Sequence, residues 1–265
     1  GEGAHNIIGN FTPTSGTYQM DFNEPENSLR CAFNEDGLGG YLDTGNLNDS
    51  VSFGTWHHGA CVYDSTSQTM TAYVDGARIT QVDTSGTVPG TPGQPVYIGQ
   101  SGDNGLPERF YGLIDDVRVY NTALTAREVK DLYATGGPCS HPPGHEGDLI
   151  FNEDLGVMQY CEGDEWVSAG TCAATDGPVL HLKFDETTDD PLDSSGNNTE
   201  VTATGTVWQT SGGFDGSGAI EFDDSGDYIN AGNVLPDQDE ITISAWVNAQ
   251  SEAYYQRVYH QNHEN

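Results

Sequence analysis

The stretch FYGLIDDVRVYNTALTAREVKDLYA, residues 110–134, joins a strand to a short helix. Val117 and Val119, flanked by Phe110, Tyr111 and Tyr120, alternate as a strand does, and Asn121 and Thr122 break the alternation. Thr125 and Glu128 have the spacing of a capping box, and Leu124 precedes the cap where it can staple onto Val129. Val129, Leu132 and Tyr133 give the helix one apolar face, and Gly136, Gly137 and Pro138 end it. The pattern predicts the closing strand and terminal helix of a β domain.

Upstream, strand-like runs alternate with turn clusters at sandwich-like intervals: Thr17–Phe22, Ser28–Phe33, Trp56–Tyr63, Met70–Val74, Arg78–Val82 and Val96–Gly99. The sharpest local signal is WHHGACVYDSTSQTMTAYVDGARIT, residues 56–80. Trp56, His58, Ala60 and Val62 share one strand face, and Asp75-Gly76 reads as a two-residue hairpin turn that needs positive φ. Downstream, residues 137–177 crowd Pro and Gly before two short runs, Leu149–Phe151 and Val157–Cys161, with Trp166 after a Glu162-Gly163 turn. These predict an ordered spacer built on a hairpin. From Pro178 the strand pattern restarts with VLHLKFDETTDDPLDSSGNN, GGFDGSGAIEFDDSGDYINAG and ITISAWVNA.

The W-H-H strand, the Y-V-D-G hairpin and the YGLIDDVRVYNTAL ending resemble the later part of the laminin G-like jelly rolls, relatives of the concanavalin A-like lectins and glucanases. The Phe184-Asp185 opening, the Asp193–Asn197 loop, the A-I-E-F-D strand and the I-S-A-W-V strand resemble the beginning of the same family. The resemblance implies an all-β jelly-roll β-sandwich with one short helix and a small disulfide-pinned hairpin spacer. Residues 1–136 are the C-terminal portion of such a module, 137–177 the spacer, and 178–265 the N-terminal portion, so the halves are permuted. Three arrangements follow: an intramolecular circular permutant, head-to-tail complementation between subunits, or one period of a longer array. The reading adopted is a non-enzymatic extracellular structural or adhesive protein, a surface or filament repeat assembling head to tail with copies of itself. The alternative is a calcium-dependent glycan-binding module folded as a permutant, with glycans or other surface proteins as partners.

Acidic residues outnumber Lys and Arg 41 to 8, a formal charge of −33. Such a field repels nucleic acid and anionic lipid, and sulfated glycans unless metal bridges them. No run is long enough to insert into a membrane as a helix. Cys31, Cys61, Cys139, Cys161 and Cys172 lack zinc-type spacing, which favours disulfides in an oxidising, extracellular or cell-surface setting. Cys31 and Cys61 fall on what read as neighbouring strands and are expected to pair; Cys139, Cys161 and Cys172 share the spacer region, leaving one over. Asn10, Asn48 and Asn197 lie in glycosylation sequons.

Asp115 should share the inward face of Val117 and Val119, where a carboxylate needs hydrogen bonds or a cation. Members of the resembled family often hold a structural calcium, and the resemblance implies Ca2+ joining Asp193 and Asn197 to Asp115; turn-forming Asx caps and a buried hydrogen bond are the competing account. His57 and His58 cannot converge on one ion from opposite strand faces, and His141 and His145 read as linker. No catalytic site is expected: the adjacent acids Asp185-Glu186 and Asp115-Asp116 should face oppositely, whereas a retaining glucanase needs two carboxylates converging at about 5 Å. Tyr41, Trp208, Tyr254 and Tyr255 are the glycan-binding candidates, while Trp56 and Trp246 read as core.

Overall fold

The computed structural model describes residues 3–9, 18–24, 28–34, 41–44, 51–84, 95–100, 109–135, 149–152, 157–162, 165–169, 177–187, 190–223, 225–234 and 240–250. The strands of the first portion are β1 (Gly3–Gly9), β2 (Tyr18–Glu24), β3 (Ser28–Asn34), β4 (Tyr41–Asp43), β5 (His57–Asp64), β6 (Thr69–Val74), β7 (Ala77–Asp83), β8 (Tyr97–Ile98) and β9 (Tyr111–Tyr120), followed by the helix α1 (Ala126–Thr135). The spacer holds β10 (Leu149–Asn152), β11 (Val157–Glu162) and β12 (Glu165–Ala169). The second portion supplies β13 (Leu180–Leu182), β14 (Thr202–Thr204), β15 (Val207–Gln209), β16 (Ala219–Asp223), β17 (Tyr228–Asn230) and β18 (Ile241–Ala249).

Among the described residues these strands form two large antiparallel sheets, ordered β14-β17-β8-β1-β2-β3-β4 and β15-β16-β9-β18-β5-β6-β7, with β13 also on β9. Ile8, Met20, Leu29, Ile98 and Ile229 from one sheet and Tyr63, Met70, Val117, Phe222, Ile243 and Val247 from the other fill a single core between them. This is the jelly-roll sandwich expected from the sequence. Both portions of the chain enter both sheets. β18 lies between β5 and β9, while β17 pairs with β8. The strand edges that head-to-tail exchange would offer to a neighbour are therefore used within one chain.

The residue spacing that suggested these elements acts as expected in several places. Asp75 (φ 50°) and Gly76 (φ 71°) make the β6–β7 turn with left-handed backbone at both central positions, which matches the strand twist. The capping box at α1 is formed: Thr125 N–H donates to Glu128 Oε2 at 2.7 Å, and Glu128 N–H to Thr125 Oγ1 at 3.3 Å. Leu124 and Val129 are buried together with Ala60, Val62, Tyr73 and Tyr120 in a second, smaller core. That core lies on the outer face of the second sheet, under the helix. Strand β9 consequently has both faces covered rather than one.

Two expectations need correction. Cys31 and Cys61 do form a disulfide, but they lie on β3 and β5, strands of opposite sheets, so the bond staples the sandwich through its core instead of joining neighbours. The spacer is a three-stranded meander, β10-β11-β12, because Glu165–Ala169 adds a strand to the expected hairpin. Cys139 and Cys172 lie outside the described residues, as does the side chain of Cys161, which sits in β11. Asn10, Asn48, His141, His145, Tyr254 and Tyr255 are likewise outside them.

Candidate binding site

The arrangement of the site starts from an irregularity in β9. Ser244 stands opposite Arg118 and Trp246 opposite Asp115, so two residues of β9, Asp116 and Val117, face one residue of β18. This is a β-bulge, and Asp116 occupies it with φ at 45°, a conformation Asp tolerates better than most residues. The extra residue resets the alternation. Ile114, Val117 and Val119 face the main core, and the intervening Asp115 and Asp116 both turn to the outer side of the sheet. The expected inward Asp115, and the expected opposite facing of Asp115 and Asp116, are both overturned by this single inserted position.

The two carboxylates have opposite environments. Asp115 is 1% exposed; it accepts from Asp116 N–H at 2.8 Å and Phe214 N–H at 3.3 Å. Burial, together with the nearby charges of Asp116 and Asp215, pushes its acid up to about 9, so it is held protonated at neutral pH. Gly213 is required beside it, because a Cβ there would sit 2.6 Å from Asp115 Oδ2 and 2.2 Å from Gly218 O. Asp116 is also buried, which pushes its pKa upward, yet Arg118 and His181 reverse this and bring it to about 2. Arg118 grips it from Nη2 at 3.0 Å and Nε at 3.1 Å, and His181 Nε2 lies 2.7 Å from Asp116 Oδ1.

Beside the aspartates runs a stack of rings. Phe214 lies flat on Trp246, with centroids 4.2 Å apart and planes 5° from parallel. Tyr133 of α1 stacks on Trp246 at 5.5 Å, and Trp56 meets the edge of Phe214 at 6.5 Å. Trp56 is fixed by its Nε1–H donating to Gly212 O at 3.1 Å. Trp56 and Phe214 are half-buried, so their rings are partly open at the rim of the sheet. His58 closes the inner end of the stack, 5.5 Å from Trp246; burial lowers its pKa to about 4, so it is a neutral ring. Trp246, read from the sequence as core, is buried, 8% exposed, on the outer face of the sheet, whereas Trp56, read the same way, is only half-buried at the rim. Trp56 just precedes β5, Phe214 lies ahead of β16 and Trp246 lies within β18, and only the β9 bulge and the long-range β5–β18 pairing bring the three together.

The sequence-derived candidates fare unevenly. Trp208 on β15 packs edge-on against Phe184 at 6.3 Å and leans on the main core. Tyr41 lies in the edge strand β4, and its side chain is outside the described set. Asp193 accepts three backbone N–H groups, from His181 at 3.1 Å, Ser195 at 2.9 Å and Thr199 at 2.9 Å. Burial raises its pKa, but these donors outweigh it and bring the value to about 2. Asn197 donates its Nδ2–H to Val179 O at 3.0 Å. Donor groups converge on Asp193, and Asn197 turns its amide N–H to the Val179 carbonyl. The Asx-turn account fits this loop, and Asp115 is held elsewhere, by Phe214. Among the described residues no group of three or more His, Cys, Asp or Glu side chains is arranged to hold a metal ion.

Asp115 gives a testable pH effect. Its folded pKa lies above the ordinary aspartate value of about 3.9, so its contribution is full below about pH 4 and is lost as pH rises toward 9. In EDTA, Asp115→Asn is expected to match the parent near pH 4 and to exceed it in Tm at pH 8. Equal melting temperatures at both pH values would place a charged Asp115 in the fold.

No curated protein and no solved structure matches the chain significantly. A laminin G family model, described as the concanavalin A-like lectin/glucanases superfamily, matches residues 2–130. The sandwich, the capped helix and the Y-V-D-G hairpin agree with that match, so residues 2–130 are similar to the concanavalin A-like lectin/glucanases superfamily in both sequence and fold.

Proposed function

We propose that the chain is a non-enzymatic, extracellular binding module, closed within one subunit, that takes neutral glycans on the corner formed by Trp56 and Phe214. The observation carrying this reading is the pair of half-open rings set 73° apart and backed by Trp246. A pyranose presents a flat C–H face that packs on such a ring, while its hydroxyls need polar neighbours at the rim. Asp215, beside Phe214, supplies carboxylate acceptors there. The charge of −33 selects neutral over sulfated or uronic sugars. The disulfide and the superfamily favour an oxidising, extracellular setting.

Calcium enters this proposal only at Asp115, where a cation would take the place of the proton and relieve the repulsion from Asp215. Its signature would be a higher Tm with Ca2+ than with EDTA at pH 8, abolished by Asp115→Asn.

The direct test is a screen of neutral polysaccharides and oligosaccharides followed by titration. Trp56→Ala is expected to weaken binding at least tenfold while leaving the melting transition in place. A screen in which no neutral glycan binds, or binding indifferent to Trp56→Ala, would overturn the assignment. Light scattering should give the mass of one chain; a concentration-dependent ladder would instead restore the head-to-tail reading.

A further inference from the structure

We propose that Ser52 is a nucleophilic serine, activated by His57 and Asp75, that takes an acyl group from activated carboxylic esters. Ser52 Oγ lies 2.9 Å from His57 Nε2, and His57 Nδ1 lies 2.8 Å from Asp75 Oδ2. The backbone fixes the tautomer. Ser52 N–H donates to the same Nε2 at 3.1 Å, so Nε2 carries the lone pair and Nδ1 carries the proton given to Asp75. This is the arrangement of nucleophile, base and orienting carboxylate that general-base activation of a hydroxyl requires.

The orienting group is itself held. Asp75 Oδ1 accepts His58 N–H at 2.9 Å, and the left-handed turn at Asp75-Gly76 aims the carboxylate back at the start of β5. Ser52 is exposed, and the His57 side chain retains 15% of its surface, so an ester can reach the hydroxyl. In the step, Ser52 Oγ forms a bond to the acyl carbon as its proton passes to His57 Nε2. The ester C–O bond then breaks, and the same proton leaves with the departing alcohol. Two amides close in sequence are already engaged, Ser52 N–H on His57 and Gly54 N–H on Ala249 O at 2.8 Å. Acyl-Ser52 is the product of this step, a covalent modification of the chain.

The experiment treats the full chain with p-nitrophenyl acetate and locates the acetyl group by peptide mass spectrometry. Background on amines is small, because Lys and Arg together number 8. The reference is Ser67, an exposed serine whose hydroxyl donates to Asp64 Oδ2 at 2.7 Å. Ser52 is expected to acylate roughly 10²-fold faster than Ser67, the contribution of a general base. His57→Gln should bring Ser52 down to the Ser67 rate. Equal rates at the two serines, or a Ser52 rate unchanged by His57→Gln in a protein with the parent's circular dichroism, would overturn the proposal.

Discussion

Asp116→Ala is expected to lower the unfolding free energy by about 3–5 kcal/mol at pH 7, the cost of breaking a buried ion pair by removing one partner. The carboxylate is only 11% exposed, as is the Arg118 side chain it neutralises. Alanine would take the carboxylate away from the Arg118 guanidinium and the His181 ring, and it would strain the left-handed backbone at the bulge as well. Asp116→Asn separates these effects, since asparagine accepts the same φ and keeps an oxygen for Arg118; its loss should be the smaller of the two. Urea denaturation would measure both. The linkage sign follows from the depressed pKa: the contribution of Asp116 is complete above about pH 4 and is lost as pH falls toward about 2. Acid should therefore unfold the parent in a range where Asp116→Asn shows little further change. A loss below about 1 kcal/mol for Asp116→Ala would mean that Arg118 finds another acceptor.

Removing the disulfide should have an effect of similar size. Cys31 and Cys61 are separated by 30 residues, and closing a loop of that length restricts the unfolded chain by about 3–4 kcal/mol on the entropic account. Both cysteines are essentially without solvent exposure, 0% and 1%. Reductant should therefore act slowly on the native protein and quickly once it unfolds. The paired substitution Cys31→Ala with Cys61→Ala is expected to lower Tm by roughly 6–16 °C while retaining the sheets by far-ultraviolet circular dichroism. A Tm unchanged by dithiothreitol during the melt would show that the covalent link between the sheets contributes nothing.

How much of this could be read from the residues depended on the distance over which the cause acts. The capping box, the Asp75-Gly76 turn and the strands β5, β6 and β7 are local, and their residues announce them. Recognising that residues 178–249 resemble an opening and residues 110–134 an ending pointed to one shared sandwich, although nothing in either stretch specifies whether its partner is in the same chain. The site was poorly legible. Strict alternation placed Asp115 in the core, and a bulge cannot be deduced from IDDVRV, since its cost and benefit depend on β18 across the ladder. Cys31 and Cys61 were matched correctly for the wrong reason, because strand adjacency within one sheet and proximity across two sheets look alike in a list of strands. The Trp56–Phe214–Trp246 stack unites three distant segments and has no local signature at all.

The placement of β9 sets the order in which the molecule can be assembled. Its lateral partners are β13, β16 and β18, all supplied by residues 180–249, later in the chain than the strand itself. As the polypeptide leaves the ribosome, β9 and β5 emerge with bare hydrogen-bonding edges and must wait for β18 to slide between them. Contacts of such long sequence separation fold slowly, and unpaired edges are sticky while they wait. The central sheet therefore closes only once residues 180–249 have emerged, and yield in a heterologous host should depend on how long chaperones shield the first portion before the second arrives.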